Sequence, residues 1–310
     1  YSYVDRNELL HNDQSGFRKK HSCHTTLIQL TDDLLSNINE NKFTGLIFID
    51  FQKAFDVIKH SVLLQKLEIL KLPPDFVSLM SSFLTDRKQC VVINDKMSRL
   101  IPANYGVPQV SVLGPLLFSI YVNDLPCFLN DKCEMFADDT TLHSCDSNAN
   151  ILNKKLQDNL EKVIDWTELN HMTLNSHKTK CMYVSARQKR QKMQSCFKPV
   201  YIGKNSVEEV NAHKMLGVII DRDLSWHDHT SSLVKRMSIK LFQLSKIKHF
   251  LDIHSRKLFF FAHIVSIIDY ASTLWDNCSD TNFKLINRMY KRALKLILLK
   301  SSSLTPHDYQ

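Results

Sequence analysis

The feature that most constrains this chain is a pair of adjacent carboxylates inside an apolar run. The run reads Cys-Glu-Met-Phe-Ala-Asp-Asp-Thr-Thr-Leu-His, residues 133–143. Met135, Phe136 and Ala137 precede Asp138 and Asp139, and Leu142 follows them. Such flanks mark a strand that is at least half buried. A carboxylate in that setting is unfavourable unless something compensates it. A second short run, Thr-Gly-Leu-Ile-Phe-Ile-Asp-Phe (44–51), carries Asp50 near its end. If the two strands pair, three carboxylates converge on one patch. Like charges a few ångströms apart raise each other's pKa unless a cation intervenes. Hard oxygen donors favour Mg²⁺, which binds one or two protein carboxylates together with substrate phosphates. Two such ions can activate an attacking hydroxyl and stabilise a departing pyrophosphate. An isolated Asp-Asp pair is more often a turn facing water, so the surrounding segments decide between the readings.

The 310 residues allow two or three subdomains and a sizeable core, and 44% apolar with 23% charged residues is ordinary for a globular protein. The chain shows no signal-peptide pattern at its start. Leu258 to Ile268, the longest apolar run near the end, is far shorter than the roughly 20 residues of a bilayer span. The 8 cysteines include no Cys-x-x-Cys pair and read as free thiols of a reducing compartment. Net charge is +8, unevenly spread: residues 1–150 carry −4, 151–230 carry +4 and 231–300 carry +9. A basic region beside an acidic pocket suits a protein that grips a polyanion in one place and holds metal ions in another. A solvated basic helical face explains the charge alone equally well.

Apolar spacing at Leu27, Leu30, Leu34, Leu35 and Ile38 predicts a helix over 22–40, capped by Ser22 or Thr25. Residues 60–83 read as two short helices split by Pro73-Pro74, 89–94 as a strand, and 113–125 as a buried helix beginning after Gly114-Pro115. The Asp138-Asp139 segment reads as a hairpin and 151–172 as an amphipathic helix. Strands are predicted at 180–184 and 215–220, a loop at 188–198, and basic helices from 231 to about 299. No internal repeat is present. The mixed order argues for an α+β fold.

Seven segments, in order, resemble the motifs of reverse transcriptases of non-LTR (LINE-type) retrotransposons. Gln-Ser-Gly-Phe-Arg-Lys-Lys-His-Ser-Cys (14–23) resembles a fingers motif, and Ile-Phe-Ile-Asp-Phe-Gln-Lys-Ala-Phe-Asp-Val-Ile-Lys-His (47–60) resembles motif A. Residues 106–126, opening Gly-Val-Pro-Gln-Val, resemble motif B, Phe-Ala-Asp-Asp (136–139) motif C, and 169–185 motif D. Residues 213–229 resemble the primer grip and 258–275 the thumb. Five of the six glycines fall in or beside these segments.

The resemblance implies a right-hand polymerase fold, N-terminally truncated because the first fingers motif, with its Arg-Pro-Ile core, is not in the sequence. Fingers would be residues 1–43 and 60–105, the palm 44–59 and 106–230, a basic helical thumb 231–300, and a tail 301–310. It implies an RNA-directed DNA polymerase that adds dNTPs to a DNA primer 3′-OH on an RNA template. Asp50, Asp138 and Asp139 would be catalytic and would hold two Mg²⁺ ions, Mn²⁺ being a possible substitute, with the Phe51 carbonyl also reaching a metal. Phe55 would bar a ribose 2′-OH; otherwise it is a core side chain. Arg18 and Lys19 would clamp the triphosphate, against an exposed basic turn. Gln109 would meet the sugar side of the nucleotide, against a polar loop residue. Lys178 would protonate pyrophosphate, against a solvated lysine. The basic thumb would track duplex phosphates, which give affinity and position without sequence information. No membrane partner is implied, oligomeric state is open, and the compartments implied are nucleus and cytoplasm.

His227-Asp228-His229 could suggest a second metal site, but ordinary polar residues are the favoured reading, because members of the resembled family carry polar residues there and no fourth ligand is evident. Two positions depart from the family. Val110 stands where a glycine is usual in motif B, and Lys20 where a glycine is frequent. A β-branched residue at a site needing positive φ costs at least roughly 1–2 kcal/mol. The alternative to an active polymerase is therefore a decayed or truncated retrotransposon-derived protein that binds nucleic acid without polymerising.

Overall fold

A computed structural model describes residues 2–108, 111–193 and 196–299. By contact pattern the chain forms two compact units, dividing after Val210.

In the first unit, helix α1 spans Cys23–Asn39. The Ser22 hydroxyl accepts from Thr25 N at 3.1 Å and Thr25 Oγ1 accepts from Ser22 N at 2.9 Å, a capping box that fixes the predicted start. Strand β1 (Phe43–Ile49) is buried at every residue. Helices α2 (His60–Ile69) and α3 (Pro74–Leu84) are separated at the expected prolines, with Pro74 in the first turn, where its missing N–H goes unneeded. Helix α4 (Gly114–Tyr121) follows, then β2 (Lys132–Phe136) and β3 (Asp139–Asp146), the long helix α5 (Ala149–Leu169), β4 (Lys180–Val184) and the two-residue β5 (Glu208–Glu209).

These strands make one sheet, ordered β5-β4-β1-β3-β2. β1 lies antiparallel to both β3 and β4, β2 antiparallel to β3, and β5 parallel to β4. Leu152, Leu156, Leu160, Val163 and Trp166 of α5 are fully buried. A Cβ on Gly45 would come within 2.3 Å of Leu156 Cδ1, so α5 packs directly on the middle of β1. The opposite face is covered by α1, whose Leu27, Leu30 and Leu34 are also fully buried. The α+β reading is borne out.

Four local expectations need correction. The predicted helix over 113–125 stops at Tyr121, and a separate turn of helix covers Leu125–Phe128. The break frees two polar side chains for anchoring. Asn123 accepts from His11 N at 2.6 Å and donates to Leu9 O at 2.9 Å, while Asp124 accepts from Lys66 Nζ at 2.7 Å and Trp166 Nε1 at 3.0 Å. The strand expected over 89–94 is two exposed two-residue ladders, Lys88–Gln89 and Val92–Ile93, interrupted at Cys90-Val91. The loop expected over 188–198 includes a helix, Arg187–Met193. Its Gln, Lys, Arg and Met residues are good helix formers without an apolar stripe, and the segment is tied down by Arg190 Nη1 donating to Ser185 O at 3.2 Å.

The fourth correction is in the second unit. The single strand expected over 215–220 is a hairpin, β6 (Ala212–Met215) and β7 (Val218–Asp221). Leu216 (φ 46°) and Gly217 (φ 86°) form its turn, which needs positive φ at both central residues. Helices α6 (His227–Ile247), α7 (Ile253–Phe260) and α8 (Asp280–Leu298) follow, bearing out the helical reading of this region. Between α7 and α8 the chain passes through a π-helical turn, Phe261–Val265, and two four-residue helices. The eight cysteines are free thiols, as expected. No helix among the described residues is long and apolar enough to cross a membrane.

Candidate active site

Pairing of β1 with β3 sets Ile49 opposite Thr140, which brings Asp50, the next residue, level with Asp139. Directly opposed antiparallel residues have Cα atoms about 4.5–5.5 Å apart. β2 and β3 are joined through Ala137-Asp138, with Phe136 opposite Asp139, so Asp138 sits on a two-residue turn. Ala137 has φ 56°, a left-handed conformation that favours glycine. The turn is held from outside by residues 13–16. Met135 N donates to Asp13 O at 2.9 Å and Ser15 N to Met135 O at 2.8 Å. A Cβ on Gly16 would lie 2.2 Å from Ala137 N, so only glycine lets this segment approach the carboxylate turn so closely.

The end of β1 is clamped by residues 173–179. Gln52 N donates to Thr173 O and Asn175 N to Asp50 O, both at 2.8 Å, and Asp50 N donates to Thr179 Oγ1 at 3.4 Å. The same segment presents Lys178, whose Nζ lies 3.9 Å from Asp50 Oδ2 with the side chain 70% exposed.

An open cleft of about 870 Å³ lies over this junction, lined by Asp50, Asp138, Phe55, Lys178, Phe17 and Asn175, with the Phe51–Ala54 turn and Pro115 completing it. Phe55 is half-buried, its ring stacked on Phe118 at 4.4 Å between centroids, which fixes its orientation beside the acidic end. The Asp139 carboxyl is held above the usual carboxylate range, first by lost hydration, then by the charges of Asp138 and Asp50.

Of the residues picked out from sequence, the structure brings Asp50, Phe51, Phe55, Asp138 and Lys178 to the cleft, with Asp139 beside it. Arg18 and Lys19 are not among its lining residues. Arg18 Nη1 donates to His11 O at 2.9 Å and Gln14 O at 3.0 Å, tying down the loop before Gly16, and Lys19 is exposed. Gln109 and Val110 lie outside the described residues. On either side of them the chain is closed by Ser111 Oγ, which donates to Pro108 O at 2.7 Å. Lys20 has φ 63°, so the position where relatives often carry glycine does adopt a conformation natural to glycine.

Sequence reasoning missed Phe17 and Asn175. Phe17 immediately precedes Arg18 in the fingers segment and is 44% exposed; its position in the motif was a signal, its exposure was not. It also missed Asp33, Glu134 and His143, whose ligand atoms all lie within 4.8 Å of one another. In the His227-Asp228-His229 segment, His227 Nδ1 lies 3.2 Å from Asn282 Oδ1. His229 Nδ1 accepts from Ile219 N at 3.3 Å, and burial, aided by Arg236, lowers its pKa to about 4.

Residues 2–220 match the family model described as reverse transcriptase (RNA-dependent DNA polymerase). Over 302 residues the chain is 26% identical to a probable RNA-directed DNA polymerase from transposon BS of Drosophila melanogaster, covering 93% of this chain and 33% of that protein. It is 26% identical to the corresponding protein of the X-element of the same species, covering 92% and 31%. Against the RNA-directed DNA polymerase of mobile element jockey the identity is 28%, covering 75% and 25%. The chain thus spans about a third of the length of the curated relatives it matches most fully. Among solved structures, telomerase from Candida albicans in complex with a fragment of telomeric RNA superposes with a TM-score of 0.50 at 13% identity, covering 95% of this chain and 53% of that one, a likeness of fold.

Proposed function

Because the chain belongs to the reverse transcriptase (RNA-dependent DNA polymerase) family, we propose that it is the polymerising portion of a non-LTR mobile-element protein. It would extend a DNA primer 3′-OH with dNTPs on an RNA template. The observation that carries this reading is the β1–β3 register, which levels Asp50 with Asp139 while Asp138 lines the same cleft as Asp50.

The donor set fits divalent metal. Three carboxylates on one patch raise one another's energy, and hard oxygen donors in that arrangement suit a hard divalent cation that would relieve the repulsion. Asp50 and Asp138 would hold two Mg²⁺ ions, joined by the Phe51 carbonyl, with Asp139 as the nearby third acid. When bound, such ions favour ionisation of the primer hydroxyl and offset charge on the departing pyrophosphate. Lys178 would carry at Nζ the proton that leaves with pyrophosphate; its exposure and its closeness to Asp50 support that reach. Phe55, braced by Phe118, would present a ring edge against a ribose 2′-OH and so select dNTPs. Arg18 would act chiefly by fixing the 11–16 loop, leaving Lys19 as the cation offered to the triphosphate. Gln109 would meet the sugar.

The subdomain plan proposed is fingers at 1–43 and 60–105, palm at 44–59 and 106–230, and thumb at 231–300. The basic second unit would follow the phosphates of a template–primer duplex, with an RNA–DNA hybrid read mainly by shape. Nuclear and cytoplasmic sites of action are proposed on family grounds.

Primer extension on poly(rA)/oligo(dT) with Mg²⁺ tests the reading. Incorporation by the wild type that is lost in Asp138→Ala supports it. Failure of the wild type with recovery in Val110→Gly supports instead a decayed element that binds nucleic acid, the reading favoured by Val110.

A further inference from the structure

On the α1 side of the sheet lies a second cluster that the polymerase chemistry does not use. Lys132 pairs with His143 and Glu134 with Thr141 across β2 and β3. Alternation along the strands puts Glu134 and His143 on one face, where α1 supplies Asp33. Glu134 and His143 side chains are only 3% and 4% exposed, and Asp33 is 26% exposed. His143 Nε2 stands 3.8 Å from Glu134 Oε1 and 3.9 Å from Asp33 Oδ2. Those separations are too long for hydrogen bonds, and His143 Nε2 is buried without a hydrogen-bond partner. A buried ring nitrogen aimed between two carboxylates and bonded to neither is a vacancy in the polar accounting.

We propose that Asp33, Glu134 and His143 form a binding site for one divalent transition-metal ion of the Zn²⁺ class, distinct from the carboxylate cleft. A tetrahedral ion with bonds near 2.0–2.2 Å needs donor atoms roughly 3.3–3.5 Å apart. The two His143–carboxylate spacings therefore close by about half an ångström, and the two carboxylates, within 4.8 Å of each other, close by at most about 1.4 Å, movements that side-chain rotation supplies. One imidazole with two carboxylates suits Zn²⁺ or Mn²⁺ and disfavours Mg²⁺, which demands oxygen donors. The fourth position is left to water. Lys132 Nζ sits 2.8 Å from Asp33 Oδ2 and is 63% exposed, so it supplies positive charge to the same carboxylate and can swing away into solvent. Asp13 lies within electrostatic reach of both His143 and Lys132, adding negative charge around the site. The ion would pin α1 to the hairpin that carries Asp138 and Asp139. His143 is four residues along β3 from Asp139, about 13 Å at the usual strand rise, so the two sites do not share ligands.

The test is calorimetric titration of chelator-treated full-length protein with Zn²⁺, Mn²⁺ and Mg²⁺, alongside Co²⁺ absorption spectra. Expected are one Zn²⁺ per chain, weaker Mn²⁺ and no Mg²⁺ at this site. Affinity should fall about 100-fold or more in His143→Gln and Glu134→Gln, since even outer partners of metal ligands are worth 10–100-fold, and rise in Lys132→Ala. The Co²⁺ spectrum should lack a thiolate charge-transfer band. Zinc binding unchanged in these variants, a thiolate band, or no binding overturns the proposal. If the two buried variants do not fold, the partly exposed positions decide: Asp33→Asn must bind more weakly and Lys132→Ala more tightly, and the reverse sinks it.

Discussion

Gly16→Ala is the sharpest mechanical perturbation of the candidate site, because residue 16 carries no chemistry of its own. Its added methyl would sit 2.2 Å from Ala137 N, 3.0 Å from Ala137 Cα and 3.0 Å from Gln14 Oε1. The first contact is with backbone and cannot be relieved by rotating a side chain. Bringing it even to 3.0 Å moves the Ala137-Asp138 turn, or the 13–16 segment, by about 0.8 Å. Overpacking of that kind costs about 1–3 kcal/mol, or roughly 2–10 °C of melting temperature for a domain of this size. The catalytic cost is larger in proportion. A carboxylate displaced by nearly 1 Å from productive geometry loses about 100-fold in rate. The assay is single-nucleotide primer extension at saturating dNTP, with thermal melting of the same preparation. The signature is a kcat loss near two orders of magnitude in a protein that still melts cooperatively. A Gly16→Ala protein with kcat within threefold of wild type would refute the claim that residues 13–16 brace the carboxylate turn.

Three further outcomes follow from the geometry. Asp124→Ala strips the carboxylate partner from Lys66, leaving Nζ the Tyr121 carbonyl at 2.6 Å; the Lys66 side chain is 12% exposed and its pKa is already lowered by burial despite Asp124. The loss should be about 2–4 kcal/mol in urea unfolding, the lower end reflecting Asp124's partial exposure. Asp139 holds its proton more tightly folded than unfolded, so its ionisation weakens the fold as pH rises above the unfolded value of 3.8. Without divalent ions, Asp139→Asn should melt above wild type at pH 7, the gap closing as pH falls toward 3.8, and Mg²⁺ should raise the melting temperature of wild type more than that of the variant. His229 has the opposite sign: its folded pKa is lowered from 6.5 to about 4, so stability present above 6.5 is lost as pH falls through that window. His229→Gln should flatten the pH dependence of unfolding between those values, and an unchanged slope would exclude His229 as its source.

Where the sequence was legible, one local signal sufficed. The Ser22–Thr25 capping box, the Pro73-Pro74 break and the apolar flanks of Asp138-Asp139 each fix an element within a few residues. The seven ordered motifs pointed to the family that the comparison found. Illegible parts depended on partners distant in the chain. The end of α4 at Tyr121 is set by what Asn123 and Asp124 reach, not by its own apolar run. Arg187–Met193 lacks the apolar spacing that reveals a surface helix. The Leu216-Gly217 turn was hidden because Met-Leu-Gly-Val-Ile-Ile reads as continuous apolar sequence. Arg18 looked like a phosphate ligand because charge is visible in sequence, whereas its backbone acceptors are not. The Asp33–Glu134–His143 cluster joins residues about a hundred positions apart and follows no motif spacing.

The central claim is that Asp50 and the Asp138-Asp139 turn surround the same divalent ions. Replacing Mg²⁺ with Fe²⁺ and mapping hydroxyl-radical cleavage of the polypeptide tests this directly. The account predicts cuts in both segments, near residues 48–52 and 136–141, suppressed together by excess Mg²⁺ and lost together in Asp138→Asn. Cleavage confined to one segment, or cuts at the two that Mg²⁺ suppresses independently, would contradict it.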